Sequence, residues 1–275
     1  MTGAGSRLSR RQAVGGMIAM TTVALAAPAT RAAPLAVFAP RGSGAVAHDR
    51  FDALLRRYVK PDGAGYNRVD YRALKQEGAA ELDRYLAMLA AVDPTALSRD
   101  EAHAYWTNLY NAKTLEVMVA HYPVPSIRQI NLGGGGLFSS GPWSRRILRV
   151  NGTDLSLDDV EHRIVRALFA DPMSHYGLNC ASYSCPNLLE EAYAGATIDA
   201  ALARNARAYV NHRRGVAVTD RRITASKIYS WYADDFGGER QLKTHWQAFA
   251  APELAAQIAG AAIGSYVYDW SINDV

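Results

Sequence analysis

Apolar residues first become periodic at Phe51, Leu54, Leu55 and Tyr58, the three- and four-residue spacing of one helical face. Before them, Ala33 to Ala47 is rich in Pro, Gly and Ala and reads as a flexible lead-in. After them, Lys60 to Tyr71 contains Pro61-Asp62-Gly63, a turn signal that predicts a loop or hairpin. Leu82, Tyr85, Leu86 and Leu89 restore the helical period and predict a second helix, stopping near Asp93-Pro94. The strongest helix comes next. Ser98 and Glu101 form a capping-box pattern, and the run continues to about His121, ahead of Pro123. Trp106, Tyr110 and Val117 share one face of it, while Ala104, Asn108, Asn111, Leu115 and Met118 share the opposite one. A helix apolar on both sides is expected at the centre of the molecule, where Asn108 and Asn111 would tie it to neighbouring loops.

The period then shortens and lengthens by turns. Gly133 to Gly136 predicts a mobile loop, without the Lys-Ser/Thr of a phosphate cradle. Asn151-Gly152 between Ile147–Val150 and Thr153–Leu155 predicts a hairpin. Ser156 with Asp159 caps a helix carrying Glu161 and His162 and ending near Asp171-Pro172. A further helix is expected from about Ile198 to His212, and a hairpin around Asp220-Arg221. Ser226 to Phe236 holds Trp231-Tyr232 and Asp234-Asp235, the latter read as a solvated pair near a helix end. Gln241 to about Ala262 predicts a last helix broken near Pro252, and Tyr266 to Trp270 a closing strand. The expected fold is a single helix-rich α+β domain over residues 48–275 with a small antiparallel sheet. A central helix under a short sheet is analogous to papain-like or transglutaminase-like architecture.

The first 33 residues predict a targeting segment rather than part of the core, followed by the lead-in over 34–47. Ser9-Arg10-Arg11-Gln12 precedes a mild apolar run, Ala13 to Ala27, and Ala27-Pro28-Ala29 is a small-x-small cleavage pattern. Paired arginines before a Gly- and Thr-diluted run point to the twin-arginine export machinery, hence to a periplasmic or secreted protein. The run is too short for a bilayer span, so no stable membrane anchor is expected after cleavage. Cleavage after Ala29 also lowers the formal charge from +4 to +1, because Arg7, Arg10 and Arg11 leave and no acid goes with them, and cleavage a few residues later removes Arg31 too and leaves zero. A near-neutral mature chain argues against nucleic acid as a partner. A small-molecule or peptide ligand of unidentified kind remains.

The densest group of reactive side chains lies between Glu161 and Cys185. Cys180 and Cys185 are the only cysteines, and in an oxidising compartment a short-loop disulfide between them is one reading. Two inert buried thiols are another. Zinc held by His175, Cys180 and Cys185 with His162 or Glu161 is a third, although the spacing matches no compact zinc motif. The fourth reading is catalytic. Cys185 precedes Pro186 and would cap a helix whose dipole lowers the thiol pKa. Cys180 or Cys185 would be the nucleophile, His175 or His162 the base, and Asn179 or Glu161 the orienting group of an acyl-transfer enzyme: an amide or ester hydrolase, or a transpeptidase. No resident cofactor is predicted on this reading. The alternatives are a non-catalytic binding or scaffold domain locked by a Cys180–Cys185 disulfide, and a metal-dependent hydrolase. Trp143, Trp231 and Tyr232 would be core residues or the lining of a ligand cleft.

Five stretches together carry a family resemblance: Ala104–Ala112, Tyr122–Ile127, Leu157–His162, His175–Pro186 and Ser230–Phe236. On these the chain resembles the bacterial branch of domain-of-unknown-function family 547, over roughly residues 50 to 250. The resemblance implies no known activity. Relatives of the plant type carry other residues where the two cysteines stand, which weighs against a thiol required throughout the family.

Overall fold

A computed structural model describes residues 1–2, 35–132 and 141–275. Apart from its first two residues, the expected targeting segment lies outside the described residues, as does the Gly133–Gly136 loop. Residues 35–47, expected as a lead-in, are bonded to the rest of the chain. Arg41 and Gly42 donate backbone N–H groups to Thr95 and Leu97, and Phe38 packs edge-on to Trp106 at 5.1 Å.

The chain then forms α1 (Asp49–Tyr58) and the antiparallel hairpin β1 (Val59–Pro61) and β2 (Asn67–Val69). A short α2 (Tyr71–Ala73) widens into a π turn, Leu74–Gly78, before α3 (Ala79–Ala90). The long helix α4 (Arg99–His121) buries sixteen of its 23 residues, which is why its apolar positions run all the way round. Ser98 caps it by accepting the Glu101 N–H at 3.3 Å. The reciprocal half of the expected capping box is absent: the Ser98 N–H goes to Gly44 O, and Glu101 Oε2 is buried without a partner. Ser98→Ala is therefore expected to lower stability by about 1 kcal/mol, the value of one cap, as read from the urea unfolding midpoint. A change above about 2 kcal/mol would mean that Ser98 does more than cap.

Beyond α4, β3 (Leu148–Val150) and β4 (Thr153–Leu155) pair across Asn151-Gly152, both with positive φ, as the two-residue turn requires. A π-helix, Asp159–Phe169, follows and ends at Ala170 in the left-handed region. After a 3-10 turn, Pro172–Tyr176, an irregular segment leads to α5 (Ile198–Val210). The hairpin β5 (Val216–Thr219) and β6 (Arg222–Ser226) then runs into α6 (Lys227–Trp231), a 3-10 turn at Ala233–Phe236, α7 (Glu239–Phe249) and α8 (Pro252–Gly260). The last strand, β7 (Ala262–Val267), lies parallel to β6 rather than antiparallel, and it stops before Tyr268. The class is helix-rich α+β, as the periodicities predict. One apolar cluster surrounds α4, and a second joins α5, β5, β6 and α7. Among the described residues no helix is long and apolar enough to cross a membrane.

Candidate functional site

The site begins at the π-helix. Ser156 and Asp159 cap each other at its start: Ser156 Oγ accepts the Asp159 N–H at 3.0 Å, and Asp159 Oδ2 accepts the Ser156 N–H at 3.1 Å. A π-helix bonds each N–H to the carbonyl five residues back, so Glu161, His162 and Arg166 come round to one side. Glu161 accepts the Tyr232 hydroxyl on Oε1 at 2.7 Å and the Tyr110 hydroxyl on Oε2 at 3.1 Å. Burial pushes its pKa up. The neighbouring His162, the two tyrosine hydroxyls and His175 outweigh that and hold it below the usual range, so Glu161 is an ionised, buried carboxylate. Asp158, at the same end, is shifted upward by burial.

Asp235 is the second centre. It is a buried carboxylate, where an exposed pair with Asp234 was expected; only Asp234 is exposed. The short 3-10 turn turns one acid outward and the other inward. Asp235 Oδ2 accepts Arg166 Nε at 2.6 Å and His175 Nε2 at 2.8 Å. Burial raises its pKa, but those two hydrogen bonds dominate and leave it well below the usual carboxylate range. An ionised carboxylate only accepts, so Nε2 of His175 carries the proton and Nδ1 is the basic nitrogen. The His175 ring stacks on Tyr232 with centroids 4.3 Å apart, and the Arg166 guanidinium lies over the same tyrosine at 4.5 Å. Arg166 Nη1 lies 3.2 Å from His162 Nδ1; the guanidinium can only donate, so that imidazole nitrogen accepts.

The loop after His175 closes the arrangement. Cys180 and Cys185 form a disulfide with Cα atoms 6.3 Å apart. Cys185 Sγ accepts the Cys180 N–H at 3.0 Å, and the Tyr268 hydroxyl stands 3.3 Å and 3.2 Å from the two sulfurs. The helix expected after Cys185 does not form. The carbonyls of Pro186, Asn187 and Leu188 instead accept the side-chain amides of Asn179, Asn205 and Asn67, which leaves no helical ladder for a dipole. The helix-dipole argument for a depressed Cys185 pKa therefore does not hold. Beneath the loop, the buried Arg214 donates to Cys185 O at 3.1 Å and Asn187 Oδ1 at 2.6 Å, and lies over Tyr66 at 4.6 Å.

Glu161, His162, His175, Cys180 and Cys185 all line one cavity of about 270 Å³. Asn179 does not. Its side chain accepts the Ala181 N–H and donates to Pro186 O, so it braces the loop instead of orienting an imidazole. Among the described residues no hydrogen bond joins either histidine to either sulfur. No three His, Cys, Asp or Glu side chains among them are grouped to hold a metal ion. The rest of the wall is mostly aromatic, Tyr110, Trp143, Trp231, Tyr232, Tyr268 and Trp270, with Asp158, Leu178 and Ile228 between them. Trp143, Trp231 and Tyr232 were candidates for a cleft, whereas Tyr110, Tyr268, Trp270, Asp158 and Asp235 were not read as site residues. The alternation of Tyr268 and Trp270, two apart in an extended segment, was the available signal for the C-terminal part of the wall.

No curated protein and no solved structure matches the chain. A family model does match residues 94–210, a stretch from just before α4 to the end of α5 that includes Glu161, His162, His175 and both cysteines but not Asp235 or Tyr268. Over that stretch the chain is similar to the family described as protein of unknown function, DUF547.

Proposed function

We propose that the cavity is the ligand-recognition site of an exported domain, with the Cys180–Cys185 loop as its locked wall. The carrying observation is the cavity itself: about 270 Å³ with a largely aromatic wall and a buried carboxylate, beside a cysteine pair bonded to each other and, among the described residues, to no imidazole. Export through the twin-arginine pathway to the periplasm or the exterior belongs to the same proposal, since a disulfide persists in such a compartment. So does the folding of residues 48–275 as one unit.

Alkylation tests the lock. Full-length protein purified without reductant should take up no iodoacetamide between pH 5 and 9, by intact mass. After reduction both thiols should label, with stability down by about 2 kcal/mol, as expected for closing so short a loop. Prompt labelling of unreduced protein would reject the locked wall.

A second reading is thiol-dependent acyl transfer by the reduced protein. Its support is the pair of donors at Cys185 Sγ, the Cys180 N–H and the Tyr268 hydroxyl, which would stabilise a thiolate, with His175 on the same wall. On that reading Cys185 is the nucleophile and His175 the base, held by Asp235 in place of Asn179 or Glu161. Labelling of one reduced cysteine well below pH 8, together with loss of hydrolysis of a thioester probe in Cys185→Ser, would favour it over pure recognition.

A further inference from the structure

The recognition reading leaves the chemistry of the ligand open, and the charges around the cavity narrow it. Glu161 is buried, with 13% of its side chain exposed, and among the described residues no lysine or arginine lies within ion-pair distance. Its nearest basic nitrogen is His162 Nδ1 at 3.9 Å, and that atom already accepts from Arg166. The Arg166 charge is in turn matched by Asp235 at 2.6 Å. Asp158 adds a second acid to the wall, with 45% of its side chain exposed and only His162 Nε2, 3.8 Å away, as a basic neighbour. The residues lining the cavity include two acids, Asp158 and Glu161, and no lysine or arginine, so the wall is negative. A buried carboxylate whose partners are imidazoles and hydroxyls rather than a lysine or arginine still carries a desolvation cost, and a cation entering the cavity would offset it.

The aromatic side chains point the same way. Trp231 and Tyr268 have centroids 4.9 Å apart, Tyr268 and Trp270 4.5 Å, Trp231 and Trp270 5.8 Å, and Trp143 stands edge-on to Trp270 at 5.6 Å. Four adjoining rings stand within one wall, and the negative faces of such rings attract cations. Trp270 already carries one, the Arg128 guanidinium at 5.3 Å. Each oxygen of Glu161 also holds a tyrosine hydroxyl. What the wall has left to offer is charge and ring faces more than directional acceptors. That suits a methylated ammonium, which has no N–H to satisfy, better than a neutral sugar, which would leave the carboxylate charge unmatched.

We propose that the cavity binds an organic cation through a trimethylammonium-type headgroup, seated among Trp143, Trp231, Tyr268 and Trp270 with Glu161 as its buried counter-charge. This rests on the recognition reading and assigns its ligand class.

The test uses the oxidised full chain and two probes of matched shape, choline and its uncharged isostere 3,3-dimethylbutan-1-ol. Binding is followed by tryptophan fluorescence and calorimetry. Choline should bind at least about tenfold more tightly than the alcohol, a ratio within reach of a desolvated cation–π contact together with a buried counter-charge. Glu161→Gln should remove most of that preference, weakening choline far more than the alcohol. Asp158→Asn, at the more exposed rim, should weaken choline by a few-fold and serves if the Glu161 variant fails to fold. Equal binding of the two probes, or a choline affinity indifferent to both variants, overturns the cation inference. So does binding of neutral saccharides but not choline, an outcome that leaves the recognition reading standing. If neither cations, saccharides nor peptides perturb the tryptophans, recognition itself falls.

Discussion

Arg166→Met is expected to lower the unfolding free energy by about 3–5 kcal/mol, the usual consequence of removing one member of a buried ion pair. Arg166 and Asp235 have side chains only 2% and 7% exposed, so the carboxylate left behind would lose its guanidinium partner in a dry place and keep the weaker hydrogen bond from His175. Replacing both, as Arg166→Met with Asp235→Leu, should recover much of the loss, because no charge is then stranded. The comparison is made by urea unfolding at pH 7, and a double variant no more stable than the single one would contradict the ion-pair account. The same pair sets an acid limb. Asp235 has its pKa depressed in the folded protein, so its contribution is complete above the ordinary aspartate value of about 3.9 and disappears as pH falls below that. Wild-type stability should therefore drop below about pH 4, and Arg166→Met should flatten that drop.

Much of the frame was legible because local rules and burial agreed. The central position of α4 followed from apolar residues on both of its faces, and the turn at Asn151-Gly152 from residues that tolerate positive φ. The candidate site was legible as a segment, since Glu161, His162, His175, Cys180 and Cys185 do meet at one cavity. What was not legible came from distance along the chain. Asp235 looks identical to its neighbour Asp234 in sequence. Arg166 and His175, 69 and 60 residues away, distinguish the two. The extended run after Cys185 was misread for a related reason. Pro186 is a good first residue for a helix, but three amides from remote elements claim the carbonyls that the helix would need. Tertiary hydrogen bonds outvoted a local preference.

That rivalry identifies the second large effect. Asn111 sits mid-helix on α4, where propensity alone would not choose an asparagine. Its Nδ2 donates to Gly177 O at 2.8 Å, and its Oδ1 accepts the Asn179 N–H at 2.9 Å, so one side chain satisfies both backbone groups on either side of Leu178. Asn108, one turn earlier, does the same for both groups of Tyr193. Asn111→Leu fills a similar space but strands a buried N–H and a buried carbonyl, each worth about 1–3 kcal/mol, so a loss of about 4 kcal/mol is expected in urea unfolding. The position matters because this clamp lies between His175 and Cys180, holding the loop that forms one wall of the cavity. Hydrogen exchange should show the Asn179 amide losing protection in Asn111→Leu while the Tyr193 amide keeps the extra protection due to Asn108. Equal loss at both amides would mean that α4 itself had loosened. Unchanged protection at Asn179 would mean that the disulfide alone holds the loop.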